Sequence, residues 1–459
     1  MSPGLEDAAL PSRYGARFFT EGVPEREFPE QGMRPQDAYQ LLVEELELDG
    51  DPSRNLATFV TTWMELPAHK MIADNLHRNF IDHPEYPRTA EIERRCIRML
   101  ADLFHTRGET TGARCQGSSE AIMLGALAQK WRWRKQREGA GGDASRPNLV
   151  FGADVHVVWD KFCRYFDVEP RQIPLRPGHY IVDPEEVLAQ VDENTIGVVA
   201  VLGTTFTGQA GDVAGIDAML RELRRERDLD VPIHVDAASG GFVWPFLYPD
   251  VEWDFRLDHV RSINVSGHKF GLVYPGIGWL VFSDPGQLPE ELVFYEDYLG
   301  EKDATFTLNF STGSAVMLGQ YYNFCRFGRV GYKEIIDAMQ RNATYLGKQL
   351  ADSGRFELIG EGEPQLPLVC FRLTGDNAYD EVDVAGRLAA ERGWMVPAYN
   401  LPPNAQEIKV MRALVKENVS HTGARTLADD LAKACETLDT KGKLHEQDRR
   451  RVRRNIGGY

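Results

Sequence analysis

The chain has 459 residues, 42% hydrophobic and 26% charged, the composition of an ordinary globular protein with room for two or three structural units. Its 69 acidic residues outnumber 52 basic ones, for a net charge of −17. That balance argues against a dedicated nucleic-acid binder, which carries a basic excess or stripe.

The first fifty-odd residues are rich in Pro and Glu. They hold one amphipathic helix candidate, PQDAYQLLVEELEL at 35–48, and read as an N-terminal arm over 1–54. From residue 88 the pattern becomes regular. Apolar residues at three-to-four spacing predict helices over 88–105, 118–138 and 213–227. Short β-rich runs at 148–152, 195–203, 231–236, 261–266 and 278–282 alternate with them.

Such alternation predicts an α/β fold with a mostly parallel sheet. The run TIGVVAVLG is apolar on both faces, as a covered central strand requires. Beyond 310 long helices cover roughly 313–352. A smaller α+β segment then has strands near 366–373 and 408–415. The expected units are a large domain at 55–338, a small C-terminal domain at 339–440 and a loosely ordered basic tail at 441–459.

The six cysteines, Cys96, Cys115, Cys163, Cys325, Cys370 and Cys435, show no CxxC pair and no metal-ligand spacing. They read as reduced, mostly buried thiols of a cytoplasmic protein. The N-terminus lacks the pattern of a signal peptide, and no run reaches the ~18 apolar residues of a membrane span.

Ligands of α/β sheets sit beyond the C-terminal ends of the strands, and four motifs fall there. GSSEA at 117–121 opens a helix with two hydroxyls, Ser118 and Ser119. It fits an ordinary N-cap or an anion site. Asp236 ends an apolar strand before small residues that include Ala238 and Gly240. It can cap a turn, or pair with a protonated ring nitrogen while the small residues leave room for a flat ring. His156 follows the strand at 148–152, opens the next helix and could stack on such a ring. Lys269 lies in SGHKFG, where a strand meets a glycine-rich turn, and suits an amine that forms a Schiff base. Together these supply a phosphate cradle, a ring-nitrogen partner, a stacking imidazole and a lysine, the requirements of pyridoxal 5′-phosphate.

SGHKFG, HVDAASGGF, GSSEA and FIDHPEYP (80–87) resemble the group II pyridoxal-phosphate decarboxylases, and among them the glutamate decarboxylases of bacterial and plant type. The likeness runs from NLATFVTTWMEL (55–66) to MRALV (411–415). The resemblance implies fold type I, the aspartate-aminotransferase-like architecture. It also implies a homodimer as the minimal unit, possible growth to a hexamer, and active sites at subunit interfaces. L-Glutamate would be the substrate, with 4-aminobutanoate and CO2 the products and one proton consumed.

By the same resemblance Lys269 carries the cofactor and Asp236 pairs with its ring nitrogen. Ser118, Ser119, Ser266 and His268 hold the phosphate, with Ser311 reaching it from the neighbouring subunit. Thr205 meets the phenolic oxygen and His156 stacks on the ring. Thr58, Phe59, Asn79 and Asp82 take the distal carboxylate of the substrate, and Arg412 anchors a carboxylate. Lys269 or His268 returns the proton to Cα.

Two departures stand out. Cys115 and Gln116 replace a threonine and a small apolar residue of the relatives. The chain ends NIGGY, where enterobacterial relatives carry a histidine that plugs the site. The alternatives are the same chemistry on aspartate or cysteine sulfinate, and a pyridoxal-phosphate binder without activity.

Overall fold

A computed structural model of the chain describes residues 22–297, 302–360, 362 and 364–455. Residues 1–21, 298–301, 361, 363 and the final IGGY beyond Asn455 lie outside them. The chain falls into two compact units, 1–55 and 56–459. Within the first, α1 (Pro35–Leu46) begins on a proline, whose fixed φ and missing N–H suit a first helical turn.

The second unit is built on seven strands. They are β1 (Gly112–Cys115), β2 (Asn148–Gly152), β3 (Glu169–Ile173), β4 (Thr195–Val201), β5 (Ile233–Asp236), β6 (Val260–Ser266) and β7 (Gly278–Phe282). Their order is β1-β7-β6-β5-β4-β2-β3. Strands β6, β5, β4, β2 and β3 run parallel, whereas β7 is antiparallel to both β6 and β1. Every residue of β4, β5 and β7 is buried, which explains their continuous apolar runs. Three strands of the sheet match their predicted bounds within one residue. The short β1 and the polar β3, EPRQI, carry no apolar run to mark them.

Helices α2 (Leu66–Ala73), α3 (Pro87–Leu103), α4 (Ser118–Gly139), α5 (Val158–Tyr165), α6 (Pro184–Leu188), α7 (Val213–Arg227) and α8 (Trp244–Leu247) belong to this half. His156 does not open α5 as expected but lies in the loop before it. A two-stranded ribbon, β8 (Phe294–Asp297) with β9 (Lys302–Thr305), precedes α9 (Ala315–Asp352). The long helix bends at Gly328, whose φ of 56° is open to glycine at little cost. The expected domain boundary at 338–339 falls inside it.

The last part is an antiparallel sheet, β10 (Phe356–Leu358), β11 (Leu368–Leu373), β12 (Ala398–Asn400) and β13 (Lys409–Leu414), in the order β10-β11-β13-β12. Helices α10 (Glu381–Arg392) and α11 (His421–Lys441) complete it. Among the described residues no helix is long and apolar enough to cross a membrane. All six cysteines are free, and Cys325 is exposed.

The tail departs from expectation. Residues Glu446–Asn455 form α12, docked through Arg449, which pairs with the fully buried Asp383 and, at 2.8 Å, with Asp380. Lys409 adds a bond to Asp380 at 2.5 Å. Gly386 permits the approach, since a Cβ there would fall 2.5 Å from Leu444 and 2.6 Å from Val452. Composition alone made this segment a solvated charge run; one arginine with two acidic partners changes that.

Burial works to raise the Asp380 pKa, but the bonds from Arg449 and Lys409 outweigh it and hold the carboxyl well below the usual carboxylate range. Its stabilising contribution is therefore present above the ordinary carboxylate pKa and lost only in strong acid. Arg449→Ala should weaken docking by about 3–5 kcal/mol, because among the described residues it leaves the buried Asp383 charge with no cation and only the Asp380 and Leu444 amides as partners. Limited proteolysis read by mass spectrometry should show earlier loss of the C-terminal peptide. Unchanged cleavage would assign the docking to Leu444 and Val452 instead.

Candidate functional site

The C-terminal ends of β2, β4, β5 and β6 surround a cavity of about 470 Å³. Ser118, Ser119, His156, Thr205, Asp236, Ala238, Ser266, His268 and Lys269 all line it. Sequence separations of up to 151 positions collapse here because parallel strands present their ends on one side of the sheet.

Asp236 closes the cavity at the end of β5. Trp159 Nε1 donates to its Oδ2 at 2.9 Å, and Asn264 Nδ2 and the Ala238 amide donate to Oδ1 at 3.0 and 3.2 Å. Three N–H donors suit a carboxylate. Asn264 is set in turn by His234, whose two ring nitrogens bond the Asn264 carbonyl oxygen and the Ser262 hydroxyl, each at 2.7 Å. Since Asn264 spends its amide N–H on Asp236, His234 Nε2–H donates to the amide oxygen and Nδ1 accepts from Ser262. Burial pushes His234 toward its neutral form, as this relay requires.

At the other end, α4 starts at Ser118 with no side chain capping it. The serines therefore do not play the ordinary N-cap part. Ser118 Oγ instead lies 2.7 Å from Ser266 Oγ across the cavity. Free helix N–H groups beside two hydroxyls make an anion site. His268 Nδ1–H donates to the Ile277 carbonyl at 2.8 Å. Burial, with the Lys269 charge, pushes its pKa down to about 4.

Lys269 is half-buried, its Nζ 3.3 Å from Ser239 Oγ and 5.3 Å from the Phe59 ring centre. Burial lowers its pKa to about 8; Arg412 lowers it further and Asp236 opposes. His156 is lowered as well, by burial and then by Lys269. The segment 57–62 straps across this lysine. Thr61 donates through N to the His268 carbonyl at 2.8 Å and through Oγ1 to the Lys269 carbonyl at 2.7 Å. Thr58 Oγ1 accepts from the Val60 amide at 3.2 Å.

Arg412, on β13, is 1% exposed and sits 4.9 Å from the Phe59 ring centre. It donates to the Thr205 carbonyl at 2.6 Å and to the Ala57 carbonyl, while its buried Nε has no partner among the described residues.

Thr58, Phe59 and Arg412 are not among the residues lining the cavity, although Phe59 lies beside Lys269 and Arg412, and Asn79, Asp82 and Ser311 do not line the cavity of their own chain either. The Asn79 side chain accepts from the Thr312 amide at 3.2 Å, and Phe80 N donates to the Thr312 carbonyl at 2.7 Å. This pairing gathers Asn79 and Ser311 on one neighbouring piece of the surface, where Ser311 is exposed.

Sequence reasoning did not single out Trp159, Asn264, Ser239 or Asp154 for this cavity. For Asn264 a signal existed: Ser262, Asn264 and Ser266 alternate in an otherwise apolar strand, a polar stripe facing one side.

The description of pyridoxal-dependent decarboxylases, as a conserved domain, matches residues 29–374. A glutamate decarboxylase of Petunia hybrida is 46% identical over 95% of this chain and 87% of its own length. One of Aliivibrio fischeri is 43% identical over 97% and 96%. The solved Lactobacillus brevis glutamate decarboxylase superposes with a TM-score of 0.90 at 42% identity, covering 93% of this chain and 98% of that one. A Burkholderia pseudomallei sphingosine-1-phosphate lyase, 22% identical with a TM-score of 0.76 over 91% and 94% of the two chains, shares the fold alone. The architecture is fold type I, as the sequence led one to expect.

The residues fit the cofactor that these names carry. The uncapped helix start suits its phosphate, the triply bonded Asp236 its ring nitrogen, and the lowered Lys269 amine its aldehyde. The chain belongs to the pyridoxal-dependent decarboxylase family.

Proposed function

We propose that the chain removes the α-carboxylate of L-glutamate, giving 4-aminobutanoate and CO2 and taking up one proton. The observation that carries this reading is the convergence of Lys269, Asp236 and the uncapped start of α4 on one cavity. The choice of substrate rests on relatives named as glutamate decarboxylases at 43–46% identity.

Bound pyridoxal phosphate supplies an aldehyde for amine capture and a ring that takes up the electrons of the breaking Cα–carboxylate bond. Ser118, Ser119, Ser266 and His268 hold the phosphate, and Thr205 meets the phenolic oxygen. Asp236 keeps a proton on the ring nitrogen, while His156 and Ala238 enclose the ring. Arg412 offers its unpartnered Nε to a substrate carboxylate, and Phe59 with Thr58 borders the approach. Lys269 or His268 returns the proton to Cα; with Nδ1–H tied to the Ile277 carbonyl and burial favouring the neutral ring, His268 carries an Nε2–H only where the bound phosphate raises its pKa.

Asn79, Asp82 and Ser311 reach a substrate only from a second copy of the chain, so the working unit is a homodimer, with a hexamer as a larger assembly. Sedimentation should give at least a dimer. A monomer that turns over at full rate would remove these three residues from the site.

The direct test is CO2 and 4-aminobutanoate formation from L-glutamate with the cofactor present, with L-aspartate run alongside. Turnover of glutamate alone supports the reading. Turnover of aspartate alone, or of neither, overturns the substrate.

Cofactor loading should also report the lysine. Capture needs a neutral amine; at pH 7 about one Lys269 in ten is neutral with a pKa of about 8, against about one in 2,500 for an ordinary lysine. The rate of loading onto the cofactor-free protein should therefore rise about tenfold per pH unit and level off near 8. A rise that continues beyond about 10 would mean an unperturbed lysine.

A further inference from the structure

Asp154 is a second carboxyl in the cavity, and the proposed chemistry leaves it unused. It sits just past β2, 3% exposed, with no hydrogen-bond partner for Oδ1 among the described residues. The carboxyl packs onto Gly152 beside Val182, where a Cβ on Gly152 would fall 2.1 Å from Oδ1. Thr204 Oγ1 donates to the Asp154 carbonyl at 2.7 Å, which fixes the backbone and adds nothing to the carboxyl.

The neighbours shown against the carboxyl, Gly152 and Val182, carry no charge. Asp236, at the end of β5, is the charge that acts on it. Glu120 of α4, His156 before α5, and His268 and Lys269 after β6 line the same cavity. Burial pushes Asp154 up to about 7, with a further push from Asp236 and an opposing hydrogen bond from its own backbone. An anion there would be buried, held only by its own backbone amide and repelled by a second carboxylate, so burial and charge both disfavour it. Folding would favour an apolar residue at such a point, and departures of this kind concentrate at functional sites.

We propose that Asp154 is a positioning residue of the cofactor pocket: as a neutral acid it leaves the ring-nitrogen pairing to Asp236 alone, and as an anion it repels Asp236 and loosens the pocket's hold. Cofactor retention is thereby tied to the protonation of a group that touches neither the phosphate cradle nor Lys269. The inference rests on the cofactor assignment and is independent of which amino acid is decarboxylated.

The test compares wild type with Asp154→Asn, a neutral replacement of nearly the same shape. The dissociation constant of pyridoxal phosphate is measured from about pH 5 to about pH 9, by the visible absorbance of the bound form. The ratio of wild-type to variant constants cancels the titration of Lys269, which both share. It should rise about tenfold across neutral pH, with its midpoint near 7.

Stability of the cofactor-free proteins gives a second readout. The folded-state pKa is raised, so the wild-type contribution is full below the unfolded carboxyl pKa and is lost as pH rises through about 7. The melting temperature of wild type should accordingly fall relative to the variant between about pH 4 and about pH 7, then run parallel.

A ratio and a melting difference that are both flat with pH overturn the proposal, because a structural role would leave only a constant offset. Should Asp154→Asn load poorly, Asp154→Ala is read the same way. Failure of both neutral variants to fold and load also overturns it, since the proposal requires the neutral form to be the competent one. Wild type that fails to bind the cofactor at any pH would instead sink the cofactor assignment.

Discussion

Lys269→Ala should abolish the visible absorbance of bound pyridoxal phosphate and lower turnover of L-glutamate by at least about a thousandfold. The change removes the covalent attachment and one of the two candidate proton carriers at one stroke. The fold should survive. Among the described residues Lys269 makes one side-chain hydrogen bond, to Ser239, whereas its backbone is held through Thr61, which the mutation leaves in place. Removing an amine that burial already disfavours in its charged form also relieves a strain. The melting temperature of the cofactor-free variant should therefore equal or exceed that of wild type. Retained turnover, with the absorbance band lost, would mean that another amine or free cofactor serves the reaction.

The same lysine shows what the sequence made legible. Its place after a strand, with Asp236 also at a strand end, followed from alternation and from the rule that α/β sheets bind at their carboxyl edge. The order of the strands did not, because β7 returns antiparallel between β6 and β1 and nothing in GWLVF encodes direction. Buried strands read as apolar runs in either orientation.

Residues that act through hydrogen bonds to other residues were the hardest to see. Trp159 looks like core, and it is core, being 0% exposed. Only its indole N–H, aimed at Asp236, joins it to the site. Asp154 sits among small and apolar neighbours and resembles a loop acid until its burial is known. Asn79, Asp82 and Ser311 carry the opposite lesson. They came from resemblance rather than chemistry, and one chain does not bring them to the cavity.

Asp236→Asn should cost about a hundredfold to a thousandfold in turnover, the scale on which loss of one preorganised electrostatic partner is felt. The substitution keeps the shape and removes the charge that holds a proton on the cofactor's ring nitrogen. It has a second consequence that follows from the wiring. Trp159 donates to one oxygen and Asn264 to the other, so an amide can satisfy only one of them. Its NH2 must face the other donor, leaving a buried N–H without an acceptor, at about 1–3 kcal/mol. The relay constrains the remedy: turning Asn264 over would present its oxygen to the new amide but would set its NH2 against His234 Nε2–H. His234 could answer by taking the other tautomer, whose Nδ1–H the Ser262 hydroxyl accepts, but the Ala238 amide, which donates to the same oxygen as Asn264, would still face the new NH2. The variant should therefore melt lower than wild type even without cofactor. Trp159→Phe, which removes one donor and keeps the charge, should lose at most about tenfold in turnover. Equal losses in Asp236→Asn and Trp159→Phe would place the effect in packing and not in the charge; a Trp159→Phe enzyme near wild type beside a crippled Asp236→Asn enzyme would locate it in the carboxylate.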